Sequence, residues 1–201
     1  MTWHHLRIPD AGDGSRVPFV LTVIAVALLI SYLRGGRLRR IARAPLERTW
    51  LLFAGVAVQV GVDLAAGRGL LADASFLGWL LLLGSQLLIV GFLLANWRLP
   101  GIPLVTLGLL LNAVVIAANG AMPVSPEAIA ALGIEGAEVP PGKHTLMTED
   151  TVLPWLADIW PLPLLRSIIS IGDVVIAAGI IPLAHALMTY ETPEERRASR
   201  T

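Results

Sequence analysis

The chain has 201 residues, 55% of them hydrophobic, no cysteine and a formal net charge of zero; its mean hydropathy is +0.72. Ordinary soluble domains are less apolar than this, and here the apolar residues cluster into blocks of membrane-crossing length. Zero net charge excludes a global field that would gather nucleic acid, and the absence of cysteine excludes disulfides, thiolate catalysis and Cys-ligated metal.

Met1 to Arg16 is a polar leader, expected to be a disordered end. Its His4 and His5 have no further metal ligands nearby. Five apolar blocks follow: Val17 to Leu33, Trp50 to Ala66, Phe76 to Trp97, Ile102 to Asn119 and Leu164 to Met188. They predict an all-α, polytopic membrane protein with five transmembrane helices, a long loop over 120–163 and a charged tail over 189–201. The run Arg34 to Thr49, RGGRLRRIARAPLERT, carries six Arg and one Glu. The positive-inside rule puts such a run in the cytoplasm. The long loop, with one Lys and six acids, is then outside, as is the N-terminus, and the C-terminal tail is inside. A background rich in Ala, Gly, Leu and Arg suggests a bacterial protein, hence a multi-pass protein of the plasma membrane.

Within the second block, Ala57, Gly61 and Ala65 form a small-residue stripe of the kind that lets helices pack closely. In the long loop, Ser125 is placed to cap a short helix that has Pro126 in its first turn and stops at Gly133. Thr148, Glu149 and Thr151 suggest the start of another. Trp155 and Trp160 suit the headgroup level.

The motifs NGAMP, KHTLMTEDTVLPWLAD and SIGD, with GGRL after the first block and Gln59 in the second, occur here in order. By them the chain resembles a bacterial family of uncharacterised membrane proteins, domain-of-unknown-function family 5317, over roughly Val17 to Leu187. The resemblance implies a small helical membrane protein and transfers no activity. The leader departs from it, since similar proteins begin close to the first helix.

Few side chains in the apolar blocks carry chemistry. At a rise of about 1.5 Å per residue, Asn112 lies about 10 Å beneath the outer end marked by Asn119. Asp173, counted from Arg166, lies at a similar depth. Asp63 is near the outer end of its helix, Gln59 is one turn deeper, and Gln86 is near mid-membrane. A carboxylate facing lipid costs on the order of 3 kcal/mol, so Asp173 is expected to face protein or water. One outward-opening polar pocket lined by Gln59, Asp63, Gln86, Asn112, Asn119, Ser170 and Asp173 would accommodate all of them. The same amides can equally act as interhelical glue. SIGD with a second intramembrane aspartate also looks like the GxGD signature of intramembrane aspartyl proteases. Ser170 replaces its first Gly, however, and Val62 rather than an aromatic precedes Asp63.

The expected function is therefore non-enzymatic: binding of a small ligand, ion or partner at the pocket. A membrane enzyme using Asp173 with Asp63, or a scaffold subunit of a sensor or transport complex, are the alternatives. No catalytic residue, cofactor or metal is assigned, since His144 among Glu149, Asp150 and Asp158 lacks a metal-binding spacing. Membrane lipid is the expected partner, with a second copy or another membrane protein.

Overall fold

A computed structural model of the chain describes residues 17–71, 76–133 and 144–198; the leader lies outside these. The elements are, in order, α1 (Val17–Leu33), α2 (Leu38–Ile41), α3 (Thr49–Gly67), α4 (Phe76–Ala95), α5 (Ile102–Asn119), β1 (Met122–Val124), α6 (Pro126–Ala131), β2 (His144–Leu146), β3 (Trp160–Leu162), β4 (Ser167–Ile169), α7 (Ile171–Met188) and α8 (Pro193–Ala198). Four helices, α3, α4, α5 and α7, are long and apolar enough to cross a membrane, and α1 is a shorter apolar helix.

The long helices pack in a row rather than a ring. α3 lies on α4, α4 on α5, α5 on α7, and α7 on α1. The tightest contact is between α5 and α7, which run antiparallel with their backbones almost touching. A Cβ on Gly108 would strike the carbonyl oxygen of Gly172, and one on Gly172 would strike Oδ1 of Asn112. One turn pair further along, a Cβ on Gly179 would sit 2.7 Å from the Gly101 oxygen and 2.8 Å from the Val105 nitrogen. Gly101/Gly108 and Gly172/Gly179 are each seven apart, so on both helices the bare positions recur on one face. α1 runs in the same direction as α7, because Ser31 Oγ lies 3.3 Å from His185 Nδ1 near the ends of both helices.

The small stripe Ala57, Gly61, Ala65 is not the buried face of α3, and only Ala65 is half-buried. Ala57 and Gly61 are exposed and a Cβ on Gly61 would meet open space. α3 approaches α4 instead through Gly55, where a Cβ would come 2.9 Å from the Ser85 oxygen. Smallness alone does not choose the face; bulkier Val62, which is buried, lies on the packed side with Gly55.

The last long helix also departs from expectation, starting at Ile171 rather than Leu164. Leu164 falls in a single 3-10 turn, Pro163–Leu165, and Ser167–Ile169 pairs antiparallel with Trp160–Leu162. Proline cannot donate to a helical ladder, and the Ser170 side chain caps the following helix. The chain is thus mostly helical, with two small two-stranded sheets in the segment between α5 and α7 where the hydropathy pattern predicts none.

If the α5–α7 approach sets the bundle, Gly108→Val should destabilise it by roughly 1–3 kcal/mol through overpacking. Gly61→Val should be close to neutral. Detergent-denaturation midpoints of the two variants test this, and a Gly108 variant as stable as wild type would remove the close-contact account.

Candidate functional site

Where α5 nears its end and α7 begins, three polar side chains meet. Ser170 is the N-cap of α7; its hydroxyl accepts the Asp173 N–H at 3.2 Å. Asp173 Oδ2 in turn accepts the Ser170 N–H at 2.9 Å. This is a reciprocal capping box with Asp in the place more often held by Glu, and the carboxylate sits against the positive end of the helix dipole. From α5, Asn112 Nδ2 donates to Asp173 Oδ1 at 3.1 Å. The Ser170 hydroxyl lies 3.0 Å from Asn112 Oδ1 and 2.9 Å from Asp173 Oδ2. It has one proton, so it can donate to only one of these acceptors at a time. All three side chains are buried, at 4% exposure for Asn112, 0% for Ser170 and 7% for Asp173. Gly172 is what admits Asn112 to this position, for any Cβ there would overlap its amide.

Asn112 and Asp173, which the sequence puts at similar depth in one pocket, do meet, but the setting differs. Asp173 is in the first turn of α7, not two turns inside an apolar helix, because the six residues before Ser170 are a 3-10 turn and a strand rather than α-helix.

The other four expected site residues lie elsewhere. Asn119 ties α5 to the following segment: its Nδ2 donates to the carbonyls of Val115 and Val152, each at 2.9 Å, and its Oδ1 accepts the Val152 N–H at 2.9 Å. Both amide hydrogens and the carbonyl oxygen are therefore engaged. Gln86 on α4 is half-buried, and its Oε1 is buried with no hydrogen-bond partner among the described residues. It lies one turn from Leu83, which packs on the Val115 and Ile116 cluster, and so shares the face that α4 turns to α5. Gln59 is half-buried and Asp63 exposed on α3, with α4 and α5 between them and α7 in the row.

The described parts of the segment after α5, residues 120–133 and 144–170, fold together over this end. β1 pairs in parallel with β2. The backbone of Asp158 continues the pairing, with its N–H on the Pro123 oxygen at 3.0 Å and its oxygen accepting the Ser125 N–H at 2.9 Å. Its side chain is 2% exposed, and Oδ2 lies 3.9 Å from His144 Nε2. Ser125 caps α6 as expected, accepting the Ala128 N–H. A hydrogen bond from the Ser125 hydroxyl also holds the Glu127 carboxyl below its usual range. Over Thr148 to Thr151 the chain makes a hydrogen-bonded turn closed by the Thr151 hydroxyl, not the start of a helix. Trp155 and Trp160 are exposed.

Sequence reasoning missed Asn96, which repeats the Asn119 device at the opposite end of the bundle. Its Nδ2 donates to the Glu47 and Phe92 carbonyls and its Oδ1 accepts the Glu47 N–H at 2.9 Å. An Asn in the last turn of an apolar block, just before the chain leaves it, is the signal common to both.

The profile of a family of unknown function, DUF5317, matches residues 43–184. The chain belongs to that family. The match takes in Asn112, Ser170 and Asp173 but not α1, and no curated protein and no solved structure matches the chain. As a member of DUF5317 it inherits no assigned activity, so its function has to be argued from the geometry.

Asp173→Leu leaves Asn112 and the Ser170 N–H without their acceptor and should cost on the order of 1–3 kcal/mol. Asp173→Asn keeps the shape and should cost less; chemical denaturation in detergent reads both. Asn119→Ala should free the Val152 region while the helices stay intact. Hydrogen exchange is expected to rise at 144–158 and not in α5, and uniform exchange across both would contradict the staple.

Proposed function

We propose that this is a five-crossing, non-enzymatic protein of the bacterial plasma membrane that binds a small ligand, ion or partner on the side carrying residues 120–170. α1 is taken as the fifth crossing because it is apolar throughout and is packed along α7. The Arg-rich end is taken as cytoplasmic, which sets the N-terminus outside and the C-terminus inside. Limited packing along the spans, with 17% of the α3 window buried, leaves apolar faces for lipid or a second copy.

The observation that carries the binding reading is the buried Asn112–Ser170–Asp173 cluster at the end of the bundle from which β1 and β3 depart. One hydroxyl proton is shared between two acceptors, so when Ser170 turns to Asp173 the Asn112 oxygen can take a donor brought by a ligand. The Gln86 oxygen, buried on the neighbouring helix and without a hydrogen bond among the described residues, is a further acceptor. A scaffold role is the second reading, supported by the internal engagement of Asn96 and Asn119. The enzyme reading draws no support from the packing, which separates Asp63 from Asp173 by two helices.

Native mass spectrometry of the purified protein tests the preferred reading. A small-molecule or ion adduct lost in Asp173→Asn, with the fold retained, is the expected result. An adduct-free protein that co-purifies with a stoichiometric subunit would favour the scaffold. Orientation is tested by cysteines in this Cys-free chain: Asp150→Cys should react with an impermeant thiol reagent on intact cells, and Arg197→Cys should not. The opposite pattern would invert the topology.

A further inference from the structure

The Arg-rich stretch between α1 and α3 is not a slack connection. It crosses the end face of the helix row and is pinned along its course. The Arg37 N–H donates to the Met188 oxygen at 2.8 Å, and the Arg40 guanidinium donates to the Thr189 oxygen at 3.2 Å, so the stretch caps the last carbonyls of α7. Leu46 packs against the Phe92, Leu93 and Ile102 cluster. Asn96 then holds the Glu47 backbone from both sides.

Charge is distributed unevenly along this strap. Arg40 pairs with Glu191 at 3.7 Å and Arg43 with Glu195 at 3.1 Å. Arg34, Arg37 and Arg48 are exposed and have no ion pair among the described residues. Arg98, in the turn between α4 and α5, is exposed beside the same end. Next to Arg34 and Arg37 in the chain stand Leu33 and Leu38, with Tyr32 just before them, exposed at 74%, 58% and 64%. Guanidinium groups recognise phosphate oxygens in a fixed fork, while exposed leucine and tyrosine beside them suit the boundary between headgroup and acyl chain.

We propose that this pinned strap is a binding surface for anionic phospholipid headgroups in the leaflet at the Arg-rich end. The inference rests on the membrane-embedded reading and names the lipid contact that reading leaves general. Pinning matters because the side chains are presented from a fixed backbone, which lowers the ordering cost of engaging several phosphates at once.

The test is native mass spectrometry of the full chain in nonionic detergent, titrated with phosphatidylglycerol and, separately, phosphatidylcholine. Wild type should prefer phosphatidylglycerol, and the triple variant Arg34→Gln, Arg37→Gln, Arg48→Gln should lose about fivefold of that preference per arginine. The wild-type preference should also fall as salt rises, a measurement that needs no variant to fold. An unchanged preference in the folded triple variant, or a wild-type preference insensitive to salt, would overturn the proposal. So would displacement of the lipid by millimolar inorganic phosphate, which would point to a soluble anion. Retention of the triple variant in the membrane fraction separates failure of this surface from failure of the membrane reading.

Discussion

The structure depends on the near-contact of two backbones. α5 and α7 meet through Gly101, Gly108, Gly172 and Gly179 at distances that no side chain could share. In lipid, hydrophobic burial gives little drive for helices to associate, so close packing and interhelical hydrogen bonds have to supply it. The glycine face provides the first and Asn112 with Asp173 the second, at adjacent positions. α1 and α4 then add to either side of this pair, and α3 adds to α4.

The polar groups at the two ends do related work. Asn96 and Asn119 each complete a helix and grip the backbone of a residue distant in sequence, Glu47 in one case and Val152 in the other. A side-chain amide can do this because it carries the same donor and acceptor pair as a peptide group. The ends of the bundle are thereby joined to their connecting segments by bonds that resemble strand pairing. Between these ends, the Asn112–Ser170–Asp173 cluster is the place where three elements converge: α5, the cap of α7 and the strand β4 that leads into it.

The helical blocks were legible because hydropathy at this level is decided within each stretch. The Ser125 cap was legible for the same reason, being local, and the Asn112–Asp173 pairing followed from the cost of leaving either one in lipid. What was not legible depended on partners far along the chain. Leu164 to Ile169 is as apolar as the helix it precedes; only the 3-10 turn at Pro163–Leu165 and the pairing of Ser167–Ile169 with Trp160–Leu162 take it out of that helix. The stripe at Ala57, Gly61 and Ala65 had the right composition for a contact, yet which face α3 presents was fixed by Gly55 and Val62 against α4. Grouping Asp63 with Asp173 failed similarly, because depth along a helix says nothing about lateral order in a row. The glycine heptads were visible in the sequence but carry meaning only once the two helices are known to be neighbours.

The segment between α5 and α7 leaves the bundle after Asn119 and returns at Ser170, whose hydroxyl is 3.0 Å from an Asn112 oxygen. Departure and return are thus about two helical turns apart on one side of a single helix pair. Such an excursion is closed on itself: its length can change without altering the register of any helix, since lengthening a loop with fixed ends costs little. Among relatives, insertions and deletions should therefore gather between residues 125 and 165. The helices, held in register by the close approaches at Gly55, Gly108 and Gly172, would keep their number of turns. Diversification in this lineage would act on the excursion as a replaceable cassette mounted on a constant frame.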